Sequence, residues 1–142
     1  MSNAKEYLQN IAALDERIDM MESEKSDLQD RLQHITPTLS FDKGSGHGGT
    51  QDKMASTIAR IVDLQWTINA DIDRYVDMKA EALALLDKMT NPIYMTVLHR
   101  RYFLRHTFER IANEMNVSYR WACKLHGRAL QEFDKILSAS KQ

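Results

Sequence analysis

The sequence predicts an all-α protein. A long antiparallel helical hairpin of coiled-coil type covers residues 1–89, and a three- to four-helix domain follows over residues 90–142. Three observations carry that expectation. Apolar residues recur every three or four positions along two long stretches of good helix formers. A glycine-rich interruption separates those stretches. After Pro92 the pattern shortens to brief helices, each opened by a residue able to cap it.

The first helix is expected from about Ala4 to Ile35, a span with neither Gly nor Pro. Tyr7, Ile11, Leu14, Ile18, Met21, Leu28, Leu32 and Ile35 step by three and four residues, and only Lys25 breaks the series. A repeat near 3.5 lays one stripe along a helix, as in the seam of a coiled coil. Lys25 in that seam either snorkels or fixes the register.

Residues 36–51, TPTLSFDKGSGHGGTQ, are expected to form a flexible connector: Pro37 stops the helix, and four of the five Gly lie between Gly44 and Gly49. His47 has no nearby Cys or carboxylate to make a metal site. GSGHGG also lacks the Lys-Ser/Thr of a phosphate-binding loop.

A second long helix is expected from about Gln51 to Met89. Its stripe is Met54, Ile58, Ile61, Ile68, Ile72, Tyr75, Ala82, Leu86 and Met89, with Gln65 and Lys79 as exceptions. Two such helices, each roughly 45–55 Å long, can fold back and bury their stripes against each other. Leu8, Val62, Leu64, Trp66, Val76, Leu83 and Leu85 widen the stripe beyond what one hairpin hides, so a partner is expected, most simply a second copy. Asp71, Asp73, Asp77 and Glu81 read as a solvated acidic face; no His joins them in the Glu-x-x-His arrangement of a carboxylate metal site.

Thr90-Asn91-Pro92 restarts the chain. Thr90 or Asn91 can cap, Pro92 suits a first turn, and Ile93, Val97, Leu98 and Tyr102 form the expected buried side of a helix over 91–103. His99, Arg100, Arg101 and Arg105 gather near its end, where they could meet phosphates. The stretch TFERIANEMNVSYRWACKL, residues 107–125, then reads as a helix-turn-helix. Thr107 caps a helix carrying Ile111, Ala112 and Met115. Asn116 suits a left-handed turn, and Val117 plugs back between the helices. Ser118 caps a second helix carrying Ala122, Leu125 and Ala129. Small Ala112 leaves room for the crossing. In such a motif the start of the second helix enters the major groove, and here that start holds Ser118, Tyr119, Arg120, Trp121, Cys123 and Lys124, with Arg128 one turn on. Leu130, Phe133, Ile136 and Leu137 extend the helix beyond the groove-facing part.

The charge balance supports this division of labour. Residues 90–142 hold nine Lys/Arg and four Asp/Glu, whereas residues 1–89 hold ten and sixteen, so a net −1 hides a basic unit of +5 and an acidic one of −6. Polyanion contact is therefore expected at the C-terminal end. Cys123 alone allows no intramolecular disulfide and fits a reducing compartment. No apolar run approaches the roughly 20 residues of a membrane span, and the first residues do not resemble a signal peptide, so a cytoplasmic location is expected.

From Pro92 to Leu137 the pattern resembles region 4 of bacterial primary sigma factors. The residues that carry the likeness are Leu98-x-x-Arg101-Tyr102, Thr107-x-Glu109-x-Ile111-Ala112, Asn116-Val117-Ser118 and Leu125-His126-Gly127-Arg128-Ala129-Leu130. It departs from that region at Asn116, where Gly is usual, and in the less charged start of its second helix. The whole chain is similar to a family of uncharacterised prophage proteins of Gram-positive bacteria. There an opening like Ala4-Lys5-Glu6-Tyr7-Leu8 and a middle like Ile61-Val62-Asp63-Leu64 with Ile68-Asn69-Ala70-Asp71-Ile72-Asp73 precede such a domain. Related phage regulators control late genes, so the resemblance implies transcriptional regulation.

The resulting expectation is a non-enzymatic, sequence-specific DNA-binding regulator of phage or prophage origin, oligomeric through its N-terminal helices, without cofactor or metal. Its expected DNA-contacting residues are Thr107, Ser118, Tyr119, Arg120, Trp121, Lys124 and Arg128, with Arg100, Arg101 and Arg105 on the backbone. RNA polymerase is a candidate further partner. Two alternatives stand beside it: an interaction adaptor docking on RNA polymerase or another protein, and a packaging subunit similar to the small terminases, which usually place the DNA-binding part first.

Overall fold

The computed structural model describes the backbone of residues 3–41 and 47–141. It is all-helical: α1 (Asn3–Phe41), α2 (His47–Leu86), α3 (Pro92–Leu98), a π-helical turn (His99–Phe103), α4 (Phe108–Met115) and α5 (Tyr119–Ser140), with no strand among the described residues. None of these helices is long and apolar enough to cross a membrane. The connector expected over 36–51 is helical at both ends, since α1 runs through Pro37 to Phe41 and α2 starts at His47. Proline removes one backbone hydrogen bond at a local cost of about 3 kcal/mol, and a long helix already nucleated keeps the others. The rest of the expected connector, residues 42–46 with Gly44 and Gly46, lies outside the described residues.

Contacts divide the chain into two units, Glu16–Arg74 and Met1–Asp15 with Tyr75–Gln142. The sequence pattern alone places the boundary at residue 89. The difference arises because the ends of the two long stripes are covered by the C-terminal helices: Ala4, Leu8 and Ile11 share one core with Ala82, Leu85, Leu86 and Met89, with Leu98, Tyr102 and Phe103, and with Ala129, Leu130, Phe133 and Leu137. Phe133 is wholly buried, its ring 5.9 Å from that of Tyr7. Polar contacts close the edges of this core. The Ala4 amide donates to Asp134 Oδ1 at 2.8 Å, the Thr90 amide to Glu132 Oε1 at 3.0 Å, and the Tyr7 hydroxyl to Glu81 Oε1 at 2.8 Å.

In the 16–74 unit α1 and α2 meet antiparallel, as Arg17 reaches Asp71 and Lys25 reaches Gln65. Ile18, Leu28 and Ile68 are buried in the seam. Lys25 and Gln65, each an interruption of its own stripe, answer one another: the ammonium donates to Gln65 Oε1 at 2.6 Å. Asp71 does not belong to a solvated acidic face. It is 5 % exposed and paired with Arg17 Nε at 2.8 Å and Arg74 at 3.5 Å. A buried carboxylate needs such partners because desolvation penalises its charge. Ile58, Val62, Ile72 and Trp66 remain exposed.

Candidate nucleic-acid interface

The start of α3 is built as its residues dictate. Asn91 Oδ1 accepts from the amides of Ile93 (2.9 Å) and Tyr94 (3.4 Å), and Pro92 occupies the first turn, where its missing N–H costs nothing. Val97, Leu98 and Tyr102 are buried as expected. Ile93 is exposed, and Tyr94 and Met95 pack against the core in its place. The helix then widens to one π-helical turn and ends on Arg105 in the left-handed region, at φ 56°. An arginine there is strained; its guanidinium is anchored on Asp15 Oδ2 at 3.2 Å.

The two helices that follow are separated by a short turn with both ends capped. Thr107 Oγ1 accepts from the Arg110 amide at 3.2 Å, and Ser118 Oγ from the Trp121 amide at 3.0 Å. Each cap contributes about 1 kcal/mol. Asn116 takes the left-handed conformation (φ 57°, ψ 43°), and the Val117 amide donates back to the Ala112 carbonyl at 2.9 Å. Ile111, Ala112 and Ala122 form a small core with Phe108, Met115 and Val117 packed on it. Two alanines at the crossing let the helix axes approach closely.

This frame sorts the basic residues into two groups. Arg100, Arg101 and Arg105, expected to face phosphates, are engaged within the chain. Arg100 pairs with Glu114, which also accepts from Arg110 Nε at 2.9 Å. Its hydrogen bond with Arg110, chiefly, and then the charges of Arg100 and Arg110 hold the Glu114 carboxyl below the usual range. Arg101 donates to the His106 carbonyl at 3.0 Å and stacks 4.3 Å from the Phe108 ring centre. His99 adds little positive charge, because burial and the neighbouring cations lower its pKa. In contrast, Arg120, Lys124 and Arg128 are exposed on α5 at i, i+4 and i+8, which places them on one face. The Arg128 guanidinium lies 5.1 Å from the centre of the Trp121 ring, and Tyr119 stands 53 % exposed beside them. A side-chain hydrogen bond with Cys123 raises the Tyr119 pKa.

Phe108 carries no signal in the sequence, yet it organises the support beneath this face. Its ring meets Arg101, the edge of Tyr119 (centroids 6.4 Å) and His126 (5.0 Å). His126 Nε2 in turn lies 2.7 Å from Tyr102 Oη, whose pKa burial pushes up to about 12. Burial, and then the charges of Arg101 and Lys5, lower the His126 pKa from 6.5 to about 4. The folded chain therefore binds fewer protons than the unfolded one between these values. The stability tied to neutral His126 is whole above pH 6.5 and falls as pH drops towards 4. After allowance for partial exposure it amounts to roughly 1–2 kcal/mol. Melting curves of the wild type and His126→Gln, taken from pH 7 to 4, should converge as pH falls, since the carboxylates common to both cancel. Parallel curves would show that the imidazole is not held neutral.

Among the described residues no group of three or more His, Cys, Asp or Glu side chains is placed to hold a metal ion. Compared with known protein families, with curated proteins and with solved structures, the chain finds no match.

Proposed function

We propose that this chain is a sequence-specific DNA-binding transcriptional regulator. In this reading α4 and α5 form a sigma region 4-like helix-turn-helix, the two long helices form a coiled-coil hairpin, and α5 enters the major groove by its N-terminal end. The observation that carries the reading is the exposed face of Arg120, Lys124 and Arg128 on a helix whose first turn holds no acidic residue. The positive end of a helix dipole disfavours cations there by about 0.3–1 kcal/mol each. Arg120 is thus placed against the helix's own electrostatics, which suits a residue meant to meet a polyanion. Arginine and lysine pair with guanine O6 and N7, Tyr119 and Ser118 reach the groove, and Trp121 holds Arg128 in place.

Other parts of the proposal rest on the sequence alone: a phage or prophage origin, a cytoplasmic location, assembly through the N-terminal helices, RNA polymerase as a further partner, and the lack of any catalytic step or cofactor. The test is selection of bound duplexes from randomised DNA, followed by fluorescence anisotropy on the winner across a salt series. A preferred site bound at least about 10³-fold above random duplex is expected, with affinity falling steeply with salt. Binding without preference, or none, turns the assignment towards a protein-docking adaptor.

A further inference from the structure

We infer that α2 between Gln51 and Asp73 is a homodimer seam, in which two copies of the chain pair antiparallel about a two-fold axis passing by Val62. The proposal rests on the oligomeric reading above only for the identity of the partner, and does not depend on DNA binding.

Ala55, Ile58, Val62, Trp66 and Asn69 all lie exposed on α2, Trp66 at 73 %, Val62 at 47 % and Ile58 at 40 %. Their spacing of three, four, four and three residues keeps them on one side of the helix, and between Ala55 and Asn69 that side carries no charge. A solvated tryptophan and two solvated β-branched residues in one stripe form a contiguous apolar patch of the kind that marks an interface. The spacing of the stripe, though not its residues, is the same in both directions about Val62. In an antiparallel pair about a two-fold axis, where residue i of one copy meets j of the other while j meets i, that symmetric spacing sets stripe against stripe. In that register Val62 meets Val62, Ile58 meets Trp66, and Ala55 meets Asn69. At the ends the Gln51 amide faces the Asp73 carboxylate, so no two like charges oppose. A cleft of about 320 Å³ lies beside the stripe, bounded by Lys25 and Gln29 of α1 and by Gln65 and Asn69 as well as Val62 and Trp66. A helical side chain leans over the turn before it, so each indole reaches back towards the axis, where the other copy's cleft has room for it.

The area sets the strength. The stripe spans roughly 20 Å of helix at 1.5 Å per residue and covers on the order of 400 Å² per copy, about half of the roughly 800 Å² per partner of a standard interface. The dimer is therefore expected to dissociate in the micromolar range.

Sedimentation of the full chain from about 1 to 200 µM should follow a monomer–dimer equilibrium, and Trp66→Ala should raise its dissociation constant at least about 10-fold with an unchanged helical spectrum. Oxidative cross-linking in a Cys123→Ser background fixes the geometry. Val62→Cys should link to itself. Ile58→Cys and Trp66→Cys should each stay unlinked alone, their self-distances being roughly 12 Å along the axis, and should link when mixed. A monomer at every concentration overturns the proposal, as does self-linking at all three positions, which marks a parallel pair. A monomer that still selects one DNA site overturns the seam and leaves the DNA reading standing.

Discussion

Arg120→Ala combined with Lys124→Ala is expected to lower affinity for the selected duplex by roughly 10²–10⁴-fold, because each good pairing with a base edge is worth about 1–3 kcal/mol. Thermal stability should stay within about 1 kcal/mol of the wild type, or rise. Both side chains are exposed, neither belongs to the buried clusters, and Arg120 sits at the end of α5 where the dipole opposes its charge. A loss of binding joined to a gain in stability is hard to obtain from a residue kept for solubility or packing. Arg128 is left out of the pair because removing it also removes its stacking on Trp121, worth about 0.5–1 kcal/mol at an exposed site. Anisotropy at two salt concentrations separates the contributions. A side chain that pairs with phosphate, once removed, flattens the salt dependence by about one ion for every sequence alike, whereas removing one that reads a base edge erodes the preference for the selected site. Unchanged affinity with the variant folded would remove the α5 face from the interface.

What the chain discloses before folding divides along a physical line. The features set by neighbours within one turn are legible: Asn91, Thr107 and Ser118 cap because their oxygens meet amides two or three residues on, and Asn116 turns because its short polar side chain tolerates the left-handed region. The two stripes are legible for the same reason, as a repeat in one dimension. Their exceptions are not. Lys25 and Gln65 each look like a fault until the antiparallel register sets one against the other, and Asp71 looks solvated until Arg17, far away in sequence, closes over it. The basic cluster at 100–105 misleads likewise. Composition shows three arginines, but Glu114, the His106 carbonyl and Asp15 are brought to them only by the fold. The left-handed Arg105 ends a π-helical turn that no local rule anticipates.

Phe133→Ala is expected to have the largest effect on folding, about 3–5 kcal/mol, since it deletes a wholly buried ring and leaves a cavity among neighbours that relax only in part. Phe133 joins the first turns of α1, through Tyr7, to the core shared with the ends of α2 and α3, so those neighbours come from distant parts of the chain and cannot close in together. Against a typical domain stability of about 5–15 kcal/mol, such a loss should lower the melting temperature by at least about 10 °C. The half of α5 proposed to face DNA lies on a separate small cluster of Ile111, Ala112 and Ala122, so at low temperature the folded fraction should still bind with near-native affinity. Saturating DNA should then recover part of the missing stability by mass action. The two variants thus fail in opposite ways: Arg120→Ala with Lys124→Ala melts normally and does not bind, while Phe133→Ala binds when folded and melts early. Calorimetry with and without duplex reads both. A Phe133→Ala variant melting within about 2–3 °C of the wild type would mean that the shared core does not hold the C-terminal helix, and that the binding face is stabilised by the small cluster alone.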